Sequence, residues 1–338
     1  MKARTKKRLL ITAIVLLSVA LVYLVIFLFP RPKNYEGENP FIKADSDLPV
    51  LIAHRGGDGE FPGNTLEAYY NAYSVDKNFI LETDVNLTSD GVLILCHDTT
   101  LDGTTNVDGE IIDWSYADLI SRRVNFGYDN DDDEPKELYK NEAGEVVYPS
   151  SLAGYPTGLD GRDSEIFLAT TFEELVTSFP TNKIIVEIKQ DGEVGFDALH
   201  EAVRIAEEYD AFDRIIFASF HDEIFEESMR MLGDGEVPES FMASPSLGST
   251  IKFFVMHLLG VDVFYFDNIA ALQVPTEEYG FTLATKGFMK TAHKHNLAVQ
   301  FWTINDKEQM RHLIEIGADG IMTDYPHRLA EVYSSYAE

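Results

Sequence analysis

From residue 49 onward, short apolar runs alternate with stretches that have the spacing of amphipathic helices. The apolar runs, which are candidate strands, lie at 49–53, 79–85, 92–97, 183–188, 214–219, 240–243, 262–266, 298–302 and 320–323. The helical patterns between the later runs lie at 172–179, 196–209, 223–233, 285–296 and 307–317. Because parallel strands need a long crossover, this alternation predicts an α/β fold with a parallel sheet covered by helices.

The number of candidate strands favours a closed barrel. A (β/α)8 TIM barrel needs eight parallel strands, and the nine apolar runs exceed that by one. The surplus is expected within 79–97, because only the turn at 88–91 separates two runs there and so short a link suits a hairpin. The sequence leaves open which of those two runs joins the barrel. The predicted barrel domain covers residues 49–332.

The N-terminus has the features of a membrane anchor. Residues 2–8 include five basic residues, and the 21 residues 9–29 carry no charge, which is long enough to span a bilayer as a helix. No small-residue cleavage site follows this run, so residues 1–29 are interpreted as a cytoplasmic basic stub and a transmembrane signal anchor. The basic flank predicts a single-pass protein of the cell membrane with an extracytoplasmic domain. Residues 30–48 are polar, contain three prolines and are interpreted as a linker.

The charge balance excludes one class of partner. The chain has 57 acidic residues against 27 lysines and arginines, a formal net charge of −30. A surface this acidic argues against binding to nucleic acid. The single cysteine, Cys96, excludes an internal disulfide and is interpreted as a buried hydrophobic residue.

A long acidic stretch at about 126–166 interrupts the strand and helix pattern and is interpreted as an insertion into the barrel. Asp129, Asp131 and Asp133 alternate within it, which is one feature of calcium-binding loops. The series lacks the glycine and the closing glutamate of an EF-hand loop. A solvated acidic loop is therefore favoured over a calcium site.

Charged side chains lie at or near the ends of the first three apolar runs. His54 and Arg55 follow the first run, Glu82 and Asp84 alternate along the second, and His97 lies at the end of the third. Residues two apart on a strand face the same side, so the two acids point together. Carboxylates can hold a divalent cation, histidines can transfer protons near neutral pH, and arginine can bind phosphate oxygens. The pattern therefore favours metal-assisted attack on a phosphate.

Several motifs resemble the glycerophosphodiester phosphodiesterase family. They are HRG at 54–56, NT at 64–65, ETD at 82–84, the TSDG turn at 88–91, HD at 97–98, EIK at 187–189, SF at 219–220, WTIN at 302–305 and GADGIMTDYP at 317–326. The resemblance covers roughly residues 50 to 330 in the family's order. One departure is Gly63, where the family usually has a glutamate before NT.

The resemblance implies a set of roles on a TIM barrel. It implies that Glu187 is the third metal carboxylate beside Glu82 and Asp84, and that Trp302 lines the pocket near the glycerol moiety. The cofactor would be a divalent ion, Ca²⁺ or Mg²⁺, because all proposed ligands are oxygens. Lys189 points the same way as Glu187 on its strand, which suits either phosphate binding or a structural ion pair.

The implied reaction is hydrolysis of a glycerophosphodiester to glycerol phosphate and an alcohol. His54 and His97 would be acid and base, in an order that the sequence leaves open, and Arg55 would stabilise developing charge. The nucleophile is either water or the neighbouring glycerol hydroxyl. The closing motif residues Asp319, Thr323, Asp324 and Pro326 are expected to fix the last strand and its loop.

Two alternatives remain beside this reading. One is a lysophospholipase D or sphingomyelinase D with the same two-histidine, metal-carboxylate chemistry, which would act on a lysolipid-type substrate. The other is a surface binding protein that keeps the fold without catalysis, which only Gly63 favours. The sequence leaves open the alcohol moiety and the oligomeric state.

Overall fold

The barrel wall is built from short buried strands, as the apolar runs predict. The computed structural model describes residues 2–44, 47–127, 167–278 and 280–336. Its strands are β1 (Val50–Ala53), β2 (Ile80–Leu87), β3 (Leu93–Leu95), β4 (Ile184–Ile188), β5 (Ile215–Ala218), β6 (Met242–Ala243), β7 (Ala271–Val274), β8 (Glu277–Glu278), β9 (Phe281–Thr282), β10 (Ala298–Phe301) and β11 (Gly320–Thr323).

Helices follow most of these strands, as the predicted alternation requires. They are α1 (Lys2–Leu28), α2 (Leu66–Val75), α3 (Tyr116–Ser121), α4 (Phe172–Ser178), α5 (Gly192–Glu208), α6 (Asp222–Asp234), α7 (Leu247–Leu259), α8 (Lys286–Lys294), α9 (Lys307–Ile316) and α10 (Pro326–Ser334). Short 3-10 helices lie at His54–Gly56, Ile111–Asp113 and Asp262–Phe264. Capping residues fix several helix starts; the Thr65 side chain, for example, accepts from the backbone of Ala68 at the start of α2.

Eight parallel strands form a nearly closed barrel in the order β6, β5, β4, β2, β1, β11, β10 and β7. At the remaining seam, the backbone N–H of Ala270 donates to the carbonyl of Ala243 over 2.9 Å. The predicted TIM-barrel fold is therefore confirmed. The extra strand β3 pairs antiparallel with β2, with Val85 opposite Leu95. Of the two neighbouring runs, 79–85 thus belongs to the barrel and 92–97 to a hairpin.

The strand predicted at 262–266 is wrong. Residues Asp262–Phe264 form a 3-10 helix, and the barrel position beside β10 is occupied by β7, where Ala271 pairs with Ala298. Tyr265 is buried against the ring of Phe253 at 4.9 Å, so this apolar run packs under α7 instead of joining the sheet. An apolar run alone does not distinguish these two outcomes, because both bury aromatic side chains.

Two cores separate along the strands, because successive side chains face opposite sides. Ile52, Ile80, Ile185 and Met322 belong to the cluster inside the barrel, and Phe41 packs against them from the N-terminal segment. A larger cluster fills the space between the strands and the helices. Ile80 lies on the same strand face as Glu82 and Asp84, so the two acids point into the barrel, where Asp84 is level with Glu187 near the carboxyl end of β4.

The N-terminal region begins with a helix that could span a membrane and ends under the barrel. Within α1, Lys6–Leu28 is long and apolar enough to cross a bilayer. The polar segment interpreted as a linker carries buried residues: Asn34 donates its backbone N–H to His295, and the Asn39 amide donates to the Ala270 carbonyl over 2.7 Å. Its described part therefore packs against the barrel. Asp129, Asp131 and Asp133, and the insertion from residue 128, lie outside the described residues.

Candidate active site

Three carboxylates meet at the centre of the barrel mouth. Glu82 and Asp84 lie on β2, and the register of the next strand places Glu187 of β4 directly beside Asp84. One oxygen from each of the three side chains lies within 4.8 Å of the other two. Glu82 and Asp84 are buried and Glu187 is half-buried. The parallel pairing of β2 with β4 is therefore what brings acids more than 100 positions apart in sequence together.

Burial and mutual repulsion disfavour the charged forms of these acids. Burial and, next, the negative charge of Asp84 raise the pKa of Glu82 above its ordinary value. The same two causes, in the same order, raise the pKa of Glu187. Buried acids that repel one another are costly unless a cation compensates them. The cluster therefore has the electrostatics of a cation site.

The donor atoms also fit a divalent metal ion. Among the described residues, these three side chains form the group whose ligand atoms lie close enough to share one ion. All three donors are carboxylate oxygens, which suit hard cations such as Ca²⁺ and Mg²⁺. Glu82, Asp84 and Glu187 would hold such an ion.

Two cationic side chains flank the acids. The backbone N–H of Arg55 donates to Glu82 Oε2 over 2.8 Å. The side-chain Nε of Arg55 lies 3.3 Å from Asp84 Oδ2. Lys189 Nζ donates to Glu187 Oε1 over 2.9 Å and lies 3.7 Å from Asp84 Oδ1. The Glu187–Lys189 ion pair considered from the sequence is therefore present. Arg55 Nε is buried beside Asp84 and has no well-aligned hydrogen-bond acceptor.

His54 is oriented by an acid from the last barrel strand. Its Nδ1 donates to Asp324 Oδ1 over 2.6 Å, while its Nε2 lies 4.0 Å from Glu82 Oε2. Asp324 is itself held by the Asn305 amide over 2.7 Å. Burial lowers the pKa of His54, but the hydrogen bond to Asp324 and the charges of Glu82 and Asp324 outweigh it, so the pKa is raised overall. The imidazole is thereby biased towards its protonated form.

His97 has the opposite bias. Its Nδ1 donates to Asp98 Oδ1 over 2.7 Å, and its Nε2 lies 3.2 Å from Lys189 Nζ, which can donate to it. Burial lowers the pKa of His97; Asp84 opposes this effect, and Arg55 and Lys189 add to it. The imidazole is thereby biased towards a neutral form with an unprotonated Nε2, which can accept a hydrogen bond from Lys189.

One cavity contains every side chain that the sequence singled out for the site. Its lining includes His54, Arg55, Glu82, Asp84, His97, Glu187, Lys189 and Trp302. Trp302 follows β10 and meets Phe220, which follows β5, edge to face with ring centroids 6.0 Å apart. Pro245, Leu247 and Pro275 extend this wall, so one side of the cavity is apolar and the other is charged.

Three contributors to the cavity or its support were not predicted from the sequence. Asn64 donates to Asp84 Oδ2 over 3.0 Å, and Phe220 forms the aromatic wall with Trp302. Asp324 was assigned to the last strand and its loop, yet its side chain contacts His54. The signal for Asp324 was present, because it follows β11 in the same way that His54 follows β1.

Gly63 packs closely against the side chain of Asp58. A Cβ at position 63 would lie 2.6 Å from Asp58 Oδ1, so no side chain fits there without movement of Asp58. The Gly63 N–H donates to the same oxygen over 2.8 Å, and Asp58 Oδ2 lies 3.6 Å from Arg55 Nη1. This chain therefore presents an acid to Arg55 from position 58, beside the place where the resembled family carries its glutamate.

Comparison with known proteins shows the family and the fold of this chain. The model of the glycerophosphoryl diester phosphodiesterase family matches residues 54–328. A glycerophosphodiester phosphodiesterase from Bacillus altitudinis is 25% identical over 287 residues, covering 83% of this chain and 97% of the relative. The human lysophospholipase D GDPD3 is 25% identical over 296 residues, covering 82% of this chain and 83% of the relative.

Solved structures show the same fold. The glycerophosphoryl diester phosphodiesterase domain of a Mycobacterium tuberculosis protein superposes with a TM-score of 0.63 at 17% identity, covering 86% of this chain and 100% of that one. An Oleispira antarctica phosphodiesterase, solved with the product sn-glycerol-3-phosphate, gives 0.60 at 19% identity, covering 86% and 98%. Because the family model spans residues 54–328 of the 338, the chain belongs to the glycerophosphoryl diester phosphodiesterase family.

Proposed function

We propose that the protein hydrolyses glycerophosphodiesters to glycerol phosphate and an alcohol with the help of a divalent metal ion. The observation that supports this most directly is the grouping of Glu82, Asp84 and Glu187 between His54 and His97 in one cavity. A divalent cation bound there would neutralise phosphate charge and make a nucleophile easier to deprotonate. Ca²⁺ and Mg²⁺ fit the all-oxygen ligands best.

The chain's own side chains supply binding and proton transfer. The Arg55 guanidinium and the Lys189 ammonium line the cavity and are the proposed ligands of the phosphate oxygens. His97, biased towards its neutral form, is the proposed base for the nucleophile's proton. His54, biased towards its protonated form by Asp324, is the proposed acid for the leaving alcohol. The nucleophile is either water or the glycerol hydroxyl next to the phosphate.

The apolar wall favours a second candidate substrate. Phe220 and Trp302 face the charged side of the cavity and could contact an acyl glycerol as well as a free glycerol moiety. Relatives named lysophospholipase D are among the similar proteins. A lysophospholipase D activity is therefore the alternative within the same chemistry. The inactive surface-binding alternative has little support, because every catalytic candidate is present around the cavity.

A substrate panel tests the proposed hydrolysis. We expect purified full-length protein with Ca²⁺ or Mg²⁺ to release glycerol phosphate from glycerophosphodiesters, and to lose this activity when the metal is chelated. Product analysis by mass spectrometry identifies the bond that is cleaved. Release of lysophosphatidic acid from lysolipids would assign the lysophospholipase D activity. Absence of turnover on the whole panel, with protein that is folded and metal-loaded, would contradict the proposal.

We further propose that α1 stays in the mature protein as a single-pass anchor with the barrel outside the cytoplasm. The support is the apolar stretch Lys6–Leu28 and the basic residues that precede and begin it. Membrane fractionation with N-terminal sequencing should find the intact N-terminus in the membrane fraction. A soluble mature form that begins near residue 30 would show that α1 is a cleaved signal.

A further inference from the structure

An apolar face runs along α7 from the edge of the cavity, where Leu247 lies, to the turn that follows the helix. Leu247, Ile251, Val255, Leu258 and Leu259 are each 45–56% exposed. Their spacing places them on one stripe of the helix, while Phe253 on the opposite side is buried in the core. Phe264 and Phe266 continue the face at 52% and 68% exposure. These seven residues are called the α7 face below.

The clustering of these side chains sets the α7 face apart from scattered surface hydrophobics. Eleven large hydrophobic residues are strongly exposed in the described part of the chain after α1 and Phe29, and seven of them belong to the α7 face. Single exposed apolar residues are ordinary, whereas a contiguous apolar patch marks an interaction surface. The α7 face is therefore expected to be covered by a partner or a membrane. The elements beside it, α1 and α8, indicate which of these it is.

The C-terminal end of α7 contacts the proposed membrane anchor directly. The Tyr23 hydroxyl of α1 donates to the Leu259 carbonyl, and a Cβ at Gly260 would lie 3.6 Å from the Tyr23 ring. Tyr23 lies five residues before the end of α1 at Leu28, which corresponds to about 7.5 Å along a helix axis. The end of α7 therefore lies beside apolar turns of α1, a short distance before that helix ends.

The connection between α1, the proposed anchor, and the barrel is short and held by a buried ion pair. Only three residues after the end of α1, Arg31 Nε binds Asp262 Oδ2 over 2.7 Å with both side chains largely buried. His295 Nε2 lies 3.1 Å from the same oxygen. A bilayer that surrounds α1 must therefore come close to the end of α7 and to Phe264.

Charge complements this surface on the neighbouring helix. Lys286, Lys290 and Lys294 are exposed and recur every four residues along α8, and Lys294 lies over the ring of Phe27 in α1. The two helices are adjacent, since His257 Nδ1 bonds Thr291 Oγ1 over 2.9 Å. In a chain of net charge −30, a lysine row beside the C-terminal end of α1 complements the anionic headgroups of a lipid surface.

We propose that the α7 face lies in the outer leaflet of the bilayer that α1 crosses, with α7 in the plane of the interface. The first turn of α7 contributes Leu247 and Thr250 to the cavity lining. Docking along α7 therefore brings the cavity mouth to the lipid surface and favours phosphodiesters that reside in the membrane. This inference rests on the proposed anchor, and its consequence for substrates rests on the proposed hydrolysis.

Depth-dependent fluorescence quenching tests the docking without reference to activity. Ile251→Cys, Val255→Cys and Phe266→Cys are labelled with nitrobenzoxadiazole in the full-length protein; the native Cys96 is buried. Exposed positions on other helices, Glu226→Cys on α6 and Glu308→Cys on α9, are the matched controls. The proteins are reconstituted into vesicles of phosphatidylcholine with a minor fraction of phosphatidylglycerol, with or without acyl-chain doxyl quenchers.

We expect blue-shifted emission and at least about twofold stronger quenching at the three α7-face positions than at the controls, as for an interfacial helix. Equal quenching at all positions would overturn the docking. Self-quenching that depends on protein concentration and ignores the lipid quencher would overturn it in favour of a second copy as the occupant.

An activity arm then tests the consequence for substrates. Ile251→Glu and Val255→Glu, which do not line the cavity, should reduce turnover of a vesicle-embedded lysophospholipid by about tenfold and leave a soluble glycerophosphodiester within about twofold. Tyr336→Glu, at an exposed aromatic residue elsewhere, should change neither rate. An equal loss on both substrates would overturn the substrate consequence. Absence of wild-type turnover on every substrate would instead contradict the proposed hydrolysis, and the quenching would still decide the docking.

Discussion

Replacing Glu82 with glutamine, Asp84 with asparagine or Glu187 with glutamine is expected to weaken divalent-cation binding by at least about 100-fold. The estimate is a lower bound, because the loss of an outer-shell partner alone typically costs about 10–100-fold in metal affinity. Turnover should fall with metal occupancy, since the three oxygens lie within 4.8 Å of one another and each would contribute a ligand. Isothermal titration with Ca²⁺ and Mg²⁺ measures the affinity, and assays at saturating metal measure the remaining kcat.

Thermal unfolding gives a readout of the metal that is independent of activity. A cation that binds only the folded protein stabilises it by about 2.7 kcal/mol at one hundred times its Kd. The wild-type Tm should therefore rise with Ca²⁺ or Mg²⁺, while the Tm of each carboxylate variant should respond much less. Glu308→Gln, at an exposed position on α9, is the matched control and should respond like the wild type.

The metal-free proteins distinguish a cation site from a purely structural acid cluster. Burial and the Asp84 charge raise the pKa of Glu82, so folding favours its protonated form. The stability that Glu82 contributes in its protonated form is fully present below its ordinary pKa of 4.5. That stability is lost as the pH rises through the raised pKa of Glu82 in the folded protein. Glu82→Gln removes this loss, so at neutral pH without metal the variant should unfold no more readily than the wild type. A marked drop in its metal-free Tm, or full activity of chelated wild-type protein, would contradict the metal assignment.

The grouping of the acids at the candidate site could be predicted from the sequence because strand alternation is a local property. The spacing of Glu82 and Asp84 alone implied that they share a face, and their strand pairs with that of Glu187 in the register that joins the acids. The contact of His54 with Asp324 depends on β11 lying beside β1, which closes the barrel between the two ends of the domain. No local pattern carries that information, so Asp324 could be placed at a strand end but not assigned a partner.

Helix α7 shows a different limit of sequence reasoning. The helix was missed because Phe253 faces the core while Ile251 and Val255 face outward, so apolar residues occupy both sides and hide the helical period. The apolar run at 262–266, which includes Tyr265, was predicted as a strand. Its apolar content predicts burial but does not show whether a sheet or a helix covers it. The barrel core buries only one of the two apolar sides of α7, the side that carries Phe253. The other side needs an apolar environment outside the barrel.

The two histidines are the second place where a large effect is expected. His54→Ala and His97→Ala should each lower kcat by roughly 10²–10⁴-fold, the usual scale of general acid–base catalysis. Neither change should much alter cation affinity, because the proposed ligands are carboxylates. His200→Ala, at a surface histidine of α5 that pairs with Glu227, is the matched control and should keep wild-type turnover.

The geometry also predicts different pH limbs for the two residues. The pKa of His97 is lowered by burial, so kcat/KM should rise with pH through a value below 6.5 as this base loses its proton. The pKa of His54 is raised overall by Asp324 and Glu82 against the effect of burial, so kcat/KM should fall with pH through a value above 6.5 as this acid is lost. Asp324→Asn should move the alkaline limb to lower pH.

A leaving group that needs no proton separates the two roles. With a nitrophenyl phosphodiester, His54→Ala should regain most of its lost rate and show no alkaline limb, because a nitrophenolate departs without the acid. His97→Ala should stay slow on the same substrate, because the nucleophile still needs a base. Rescue of His97→Ala instead would exchange the two assignments. The assignment as given rests on two contacts: His54 donates from Nδ1 to Asp324, and Lys189 can donate to His97 Nε2. If both variants unfold at a lower temperature but keep normal turnover per folded molecule, the two histidines have a structural role. The two-histidine mechanism would then be wrong, and the surface-binding alternative would gain support.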